Sequence, residues 1–339
     1  MQVPPWISPA RLSLVSHLLA AFALWLVLHL HLLPALLAGL LVFALVNVLA
    51  PTLQRHLPGA RAHWLIVALL AALVVGLLSL LIVGAIAFLG TEHGNPMALF
   101  ERMTPLVERA RTQLPAFVVN YLPDNSEEIR VAVMAWLHDH AAQLQLAGKN
   151  AARVTAHLLI GMVLGAMLAL HTARARLHGG PLTGVLNARC TNLVTAFHDI
   201  VFAQFKISAI NTLFTGIFLL VVLPLFGVNM PLAKSLVVAT FVFGLLPVIG
   251  NLISNTLIFV VGLSVSLWVA VAALTFLIVI HKFEYFLNAR IVGTQIRARA
   301  WELLIAMLVM EAAFGIAGLV AAPIYYAYLK RELEAAALI

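Results

Sequence analysis

The sequence predicts an all-α polytopic membrane protein with about six to eight transmembrane helices. Of its 339 residues, 63% are hydrophobic and only 10% are charged, and the mean hydropathy is +1.05. A soluble domain carries roughly 25% charged residues. Two interrupted apolar segments in the C-terminal half add a further expectation, namely two re-entrant helical hairpins arranged as an inverted repeat. A charged stretch in the first half predicts a helical insert outside the membrane.

Residues 1–90 are expected to form the N-terminal transmembrane helices. Apolar runs at 12–33 and 64–89 are long enough to cross a bilayer, whereas the run at 36–50 is short and predicts a tilted or interfacial helix. The first run follows a segment without a small-residue cleavage pattern, so it is expected to be a retained span and not a removed signal peptide.

Residues 91–150 differ sharply in composition and predict a helical extracytoplasmic insert. Charged residues are frequent here, and Ile129, Val133, Trp136 and Leu137 recur at helical spacing. Acidic residues slightly outnumber basic ones, which fits a position on the outer side of the membrane.

Residues 151–206 predict one further span, at 154–171, and a basic amphipathic segment from 174 onward on the cytoplasmic side. The span carries Gly161 and Gly165 in a small-xxx-small pattern, which favours close helix packing. The sequence leaves open whether that face packs within one subunit or between subunits.

Residues 207–339 are expected to form the transport half. The apolar segment 243–262 is broken by Pro247 and Gly250, and the segment 303–328 is interrupted by Glu311, Gly315 and Gly318. Interrupted backbone is tolerated at membrane depth only where protein or a water-lined cavity covers it. Two such segments at corresponding positions indicate the substrate site of a transporter built from inverted repeats.

The distribution of Lys and Arg indicates how these segments are inserted. If basic residues mark the cytoplasmic side, that side holds the N-terminus, the regions 51–63, 174–206 and 281–299, and the tail. The number of membrane crossings between these regions then requires each broken segment to enter and leave the membrane on the same side. The first segment would enter from outside and the second from inside. The alternative is a full span at each segment.

The first broken segment supplies the candidate binding residues. A polar run next to the break offers hydroxyl and amide partners for a polar solute or a dehydrated cation. Asn211, on the preceding span, is expected to face this segment. The alternative is a simple helix kink with hydrogen bonds between helices. The candidate residues are Pro247, Gly250, Asn251, Ser254, Asn255, Thr256 and Asn211.

The second broken segment supplies a titratable candidate. Glu311 lies in an otherwise apolar run, and an acid at the bilayer centre costs roughly 2.5–3.5 kcal/mol, which marks it for proton or cation handling. The alternative is a salt bridge in an aqueous cavity. Gly315 and Gly318 are expected to set the backbone of the hairpin. Candidates for coupling or gating are Lys282, Glu284 and Arg290.

The sequence contains no motif that is typical of another class of protein. The single cysteine, Cys190, excludes a disulfide framework, and the thirteen histidines show no metal-site spacing. No catalytic motif or phosphate loop is present, so we expect neither an enzyme nor a cofactor. The net charge of +7 fits basic cytoplasmic loops and does not indicate nucleic-acid binding.

Three stretches resemble the autoinducer-2 exporter family of bacterial transporters. They are LLPVIGNLISNT at 245–256, FEYFLNARIVG at 283–293 and FGIAGLVAAPIYYAYLK at 314–330. Leu257 and Ala289 stand where the family pattern has proline, which suggests a distinct subgroup. The resemblance implies a multi-pass transporter of the bacterial inner membrane that forms a homo-oligomer, for example a pentamer. Members export autoinducer-2, and some are described as sodium(lithium)/proton antiporters.

These expectations lead to three functional hypotheses. The first is an exporter of a small polar solute, similar to autoinducer-2, in which residues 207–328 move as a bundle against a fixed frame. The second is a sodium(lithium)/proton antiporter, which needs a titratable group such as Glu311 in the ion path. The third is a membrane scaffold that recruits an envelope partner through the insert 91–150.

Overall fold

The structure is a computed structural model, which describes residues 9–55, 61–90, 131, 134–135, 138–172, 180–245, 249–296 and 298–339. Within these ranges the chain is helical and contains no strand. Most of the insert predicted at 91–150 lies outside them. The helices are α1 Pro9–His29, α2 Leu33–Gln54, α3 Arg61–Gly90, α4 Ala141–Thr172, α5 Pro181–Ile217, α6 Ala233–Gly244, α7 Ile249–Val265, α8 Leu267–Ile296 and α9 Ala300–Ala335.

By length and composition, five of the described helices are long and apolar enough to cross a membrane, although the last of them is divided by the non-helical Gly315; this confirms the coarse prediction of an all-α chain suited to a bilayer. They are Ala10–His29, Leu33–Gln54, Ala141–Thr172, Pro181–Leu225 and Trp301–Ala335. The second was expected to be short, but it has 22 residues because Pro51 is accommodated inside the last turn of the helix. Exposed leucine, valine and phenylalanine side chains cover much of the surface of these helices, as a lipid-facing surface requires.

The small-residue face of α4 packs against α2 within the same chain. Gly161 lies against the Ala35 carbonyl group and Gly165 against that of Gly39, so closely that a Cβ atom at either glycine would overlap the opposing backbone. The contacted residue moves from Ala35 to Gly39 along α2 as the glycine moves from Gly161 to Gly165 along α4, so the two helices run parallel. This contact answers the question that the sequence left open, since the face is used inside one subunit.

Helix α5 is the longest continuous element of the described chain. It passes through a π-helical turn, Phe218–Val222, and ends with the short turn Leu223–Leu225. It therefore crosses residue 206 without a break, so the expected boundary between 151–206 and 207–339 falls inside a helix. In the same way, α4 runs through residue 150 without interruption.

Helices α6 and α7 form a helical hairpin beside α5. Gly250, in the first turn of α7, lies against the carbonyl group of Phe243 near the end of α6, so the chain reverses between them. Leu245 is the last described residue before the reversal and Ile249 the first after it, so the predicted Pro247 lies outside the described residues. The hairpin thus extends over 233–265, and the expected segment 243–262 covers only its second half.

Helix α9 also reverses its direction, at Gly315. This residue has φ 62° and ψ −145°, a conformation that interrupts the helix. Three residues later, Gly318 lies against the carbonyl group of Met310, and the Tyr326 hydroxyl donates to Glu302 Oε2 at 2.6 Å. A straight helix would separate residues 302 and 326 by about 36 Å. The arms 300–314 and 316–335 are therefore antiparallel.

The contacts sort the helix ends into two groups. One end of the bundle contains Ser13 of α1, Arg189 of α5 and both Glu302 and Glu332 of α9. Hydrogen bonds and ion pairs link these groups to one another or to neighbouring basic residues, so we call it the basic end. The reversal of α9 lies at the opposite end, where Phe314 packs near Leu28. The α6–α7 hairpin begins and ends at that opposite end, with its reversal directed toward the basic end.

Candidate functional site

A buried polar face lies between α5 and the α6–α7 hairpin. Its α5 members are spaced by four, three and four residues, which places them on one side of the helix. Both of its neighbours, α6 and α7, contribute further buried polar side chains. The described residues of the face are Gln204, Ser208, Asn211, Thr215, Thr240, Asn251 and Ser254.

Side chains of α5 satisfy the last carbonyl groups of α6. Gln204 Nε2 donates to the Gly244 carbonyl oxygen, and Ser208 Oγ donates to that of Phe241, both at 2.7 Å. The last four carbonyl groups of any helix lack partners in their own helix. In an apolar environment such groups are costly if they remain unpaired. Gln204 and Ser208 therefore stabilise the hairpin reversal inside the protein.

Two asparagines connect α5 directly to α7. Asn211 Nδ2 donates to Asn251 Oδ1 at 3.3 Å, and Asn251 is only 8% exposed. Ser254 is 1% exposed and its hydroxyl donates to the Asn251 carbonyl oxygen at 3.2 Å. Three of the sequence-predicted residues are therefore placed together. At 3.3 Å, the hydrogen bond between the two side-chain amides is longer than the usual N–H···O distance of about 2.9–3.0 Å.

The other candidates near the break have different surroundings. Thr256 is exposed, and its hydroxyl donates to the Leu252 carbonyl oxygen of its own helix at 2.8 Å. Asn255 is half-buried. Gly250 is buried against α6, so its role is to permit the close approach of the two arms.

The residues predicted on the second broken segment do not join the polar face. Gly318 is buried at the reversal of α9, whereas Glu311 and Gly315 are exposed. Lys282 is exposed on α8. Glu284 and Arg290 belong to the same helix, but their side chains lie outside the described residues.

An ionic cluster at the basic end was not among the sequence-predicted sites. Glu332 is 4% exposed and forms an ion pair with Arg189, while Asn192 Nδ2 donates to Glu332 Oε1 at 3.1 Å. His17 Nε2 lies 3.4 Å from Glu332 Oε2. A second pair joins Arg331 to Asp199. These contacts hold α1, α5 and α9 together.

The sequence contained a signal for the polar face but not for the ionic cluster. The α5 members recur at helical spacing in a run whose other residues, apart from Lys206 and Thr212, are apolar, so a search for polar periodicity would have found them. Glu332 lies in a charged tail, where nothing in the sequence separates a buried acid from a solvated one. Within the described part of the chain, no group of three His, Cys, Asp or Glu residues is placed to hold a metal ion.

The fold and the polar face together define the class of this chain as an all-α protein with apolar helices suited to a membrane and a buried polar layer between them. In comparisons with family models, with curated proteins and with solved structures, no match was found.

Proposed function

We propose that this protein is a secondary transporter that moves a small, uncharged polar solute across the membrane. The observation that carries the proposal is the buried face between α5 and the α6–α7 hairpin. Its described side chains are hydroxyls and amides, and none of them is charged. Such groups bind a solute by hydrogen bonds and do not attract ions by net charge.

The dimensions of the hairpin support a re-entrant arrangement. Helix α6 has 12 residues and α7 has 17, which correspond to about 18 Å and 26 Å. Each arm is shorter than the hydrocarbon core of about 30 Å. The α9 arms, 300–314 and 316–335, start from the other end of the bundle. Opposed hairpins of this kind are the arrangement expected of an inverted repeat.

The moving part of this transporter is best assigned to the hairpins. Residues 207–328 were expected to move as one bundle, but α5 is continuous from 181 to 217. Movement of everything after residue 206 would bend that helix. We therefore place the mobile boundary at the turn between α5 and α6, and we place α2 and α4 in the fixed frame because their backbones are in direct contact.

The chemistry of the face favours a hydroxyl-rich solute over a cation. This agrees with the autoinducer-2-like solute implied by the sequence resemblance, and the same resemblance implies a bacterial inner membrane. The antiporter hypothesis depends on Glu311, which is exposed and lies on the other hairpin. Transport assays must therefore measure both kinds of cargo.

The test is a flux assay in proteoliposomes. Radiolabelled pentoses, hexoses and polyols, and separately radioactive sodium, are supplied with imposed proton or sodium gradients. We expect solute flux, and we expect Asn211→Leu to lower it about threefold to tenfold, as the loss of a hydrogen bond worth about 1 kcal/mol implies. Thr256→Val is the matched control, because that hydroxyl is exposed and bonded to its own helix.

Two outcomes would contradict the proposal. Flux of every solute at the level of protein-free liposomes would exclude transport of this substrate class. Gradient-driven sodium flux that is lost in Glu311→Gln, without solute flux, would establish the antiporter instead.

A further inference from the structure

Most threonine hydroxyls with a hydrogen bond in the described helices follow one pattern, and Thr212 departs from it. In the usual arrangement, the hydroxyl donates to the carbonyl oxygen four residues earlier in the same helix. For Thr212 that acceptor would be the Ser208 carbonyl oxygen, but Thr212 Oγ1 is buried and has no hydrogen-bond partner in the described part of the chain. The usual arrangement is found at Thr155, Thr172, Thr191, Thr195, Thr240, Thr256 and Thr275.

Thr212 lies on the side of α5 that faces the α6–α7 hairpin. It follows Ser208 by four residues and precedes Gly216 by four, and residues at this spacing lie on the same side of a helix. Ser208 donates to the Phe241 carbonyl oxygen of α6, and Gly216 lies opposite the Val237 side chain of the same helix. The Thr212 hydroxyl therefore belongs to the layer between α5 and α6, next to the polar face.

The hydrogen bonds of the polar face already connect α5 to the hairpin. Gln204 and Ser208 donate to carbonyl groups of α6, and Asn211 donates to Asn251 of α7. A solute that used these groups would displace contacts between helices, so each exchange would leave little net gain. The Thr212 hydroxyl can bind a solute without the loss of any hydrogen bond between the helices.

The unpaired hydroxyl also has a definite chemical preference. It has lost its contacts with water and has gained nothing in return, so a partner supplied by a solute removes a cost that the closed protein otherwise carries. A hydroxyl both donates and accepts, and a solute hydroxyl matches it in either direction. A site built in this way rejects an analogue that lacks the hydroxyl, because the buried protein group then stays unpaired.

We propose that Thr212 is a specificity-determining residue of the transport site, and that its hydroxyl binds one hydroxyl group of the solute when the α6–α7 hairpin closes against α5. This inference rests on the proposed transport function and deepens it, because it names the protein atom that reads the solute and the solute group that is read. The substrates are accordingly solutes with a hydroxyl group that reaches the layer between α5 and α6.

The first test measures discrimination between a solute and its deoxy analogues in proteoliposomes. The probes are radiolabelled ribose, glucose and ribitol, each with its monodeoxy analogues. For the transported probe, we expect the wild type to prefer the parent over one monodeoxy analogue by about tenfold in initial rate at low concentration. Thr212→Val should lower the flux of the parent to about that of the analogue, whereas Thr212→Ser, which keeps the hydroxyl, should preserve the preference.

A matched control is available on the same helix. The Thr195 hydroxyl donates to the Thr191 carbonyl oxygen at 2.8 Å, and the residue lies before the first member of the polar face. Thr195→Val makes the same change of one hydroxyl to a methyl group. It should leave the preference for the parent solute as in the wild type.

The second test measures stability without a solute and predicts a change of the opposite sign. In equilibrium unfolding in mixed micelles, the midpoint of Thr212→Val should move to a higher denaturant concentration than that of the wild type, because valine replaces a buried, unpaired oxygen by a methyl group. Thr195→Val gives up an existing hydrogen bond and should not raise the midpoint. A gain in stability together with a loss of solute preference is the expected signature of Thr212.

Three results would overturn the inference. If the wild type and Thr212→Val show the same preference for the parent solute, transport stands but Thr212 does not read the solute. A lower unfolding midpoint for Thr212→Val would show that the hydroxyl has a partner inside the solute-free protein. Flux of all probes at the level of protein-free liposomes in the wild type would overturn the proposed function itself and, with it, this assignment.

Discussion

Replacement of Glu332 by leucine is expected to destabilise the protein by about 3–5 kcal/mol, the usual cost of removing one partner from a buried ion pair. The side chains of Glu332 and Arg189 are only 5% and 13% exposed, so solvent screens their interaction weakly. The substitution leaves Arg189 buried without its carboxylate. It also removes the acceptor for Asn192.

The loss should be largely reversed when both partners become apolar. The double variant Glu332→Leu/Arg189→Met buries no unpaired charge, so we expect it to be considerably more stable than Glu332→Leu alone. Such non-additivity is the signature of a direct interaction in a double-mutant cycle. Glu334→Leu is the matched control: this residue is exposed two positions further on, and its change should stay within about 0.5 kcal/mol.

The assay is equilibrium unfolding in mixed micelles, followed by circular dichroism and by tryptophan fluorescence so that a two-state transition can be verified. The reasoning is refuted if Glu332→Leu costs no more than the Glu334→Leu control. It is equally refuted if the double variant is less stable than the single one, since the charge would then not be the source of the cost.

Three further predictions concern the helix packing and the topology. Gly161→Ala should cost about 1–3 kcal/mol because the new Cβ overlaps the backbone of α2, whereas Gly76→Ala, with open space around it, should be nearly neutral in the same unfolding assay. Gly315→Ala should cost about 1–3 kcal/mol through its positive φ, and unfolding no lower in denaturant than the wild type would contradict the reversal of α9. In a cysteine-free background, Ala336→Cys and Leu232→Cys should be labelled by an impermeant maleimide from opposite sides of the membrane, the first from the cytoplasm; labelling of both from one side would exclude the proposed insertion.

Local composition was enough to predict the helical class and the places where the chain breaks. Apolar runs of sufficient length predicted the long helices, and the glycines at 250, 315 and 318 marked both reversals, because a close backbone approach and a positive φ depend on glycine and are visible in sequence. The insertion of the hairpins in a membrane, and their relation as a repeat, remain predictions.

The contacts between residues far apart in the chain could not be predicted from the sequence. Arg189 and Glu332 are separated by 143 residues, and Glu332 lies among other charged residues, so no local pattern identifies their contact. The partner of the Gly161 face was also undetermined, because a small-xxx-small pattern describes one helix and leaves its partner unspecified. Glu311 was singled out by its apolar sequence neighbours, but the folded arm exposes that side of the helix.

The π-helical turn after α5 affects which side of the helix faces the α6–α7 hairpin. The first part of the helix presents polar residues to the hairpin, and the part that follows presents apolar residues. Leu223, which packs into the apolar cluster with Leu236 and Ile258, follows Gln204 by 19 residues. A regular α-helix returns to the same direction after about 18 residues, so Leu223 would otherwise be rotated by about 100° from the line of Gln204. The wider turn at Phe218–Val222 absorbs the additional residue. The additional residue in that turn rotates the following residues, so that the polar half and the apolar half of α5 face the same hairpin.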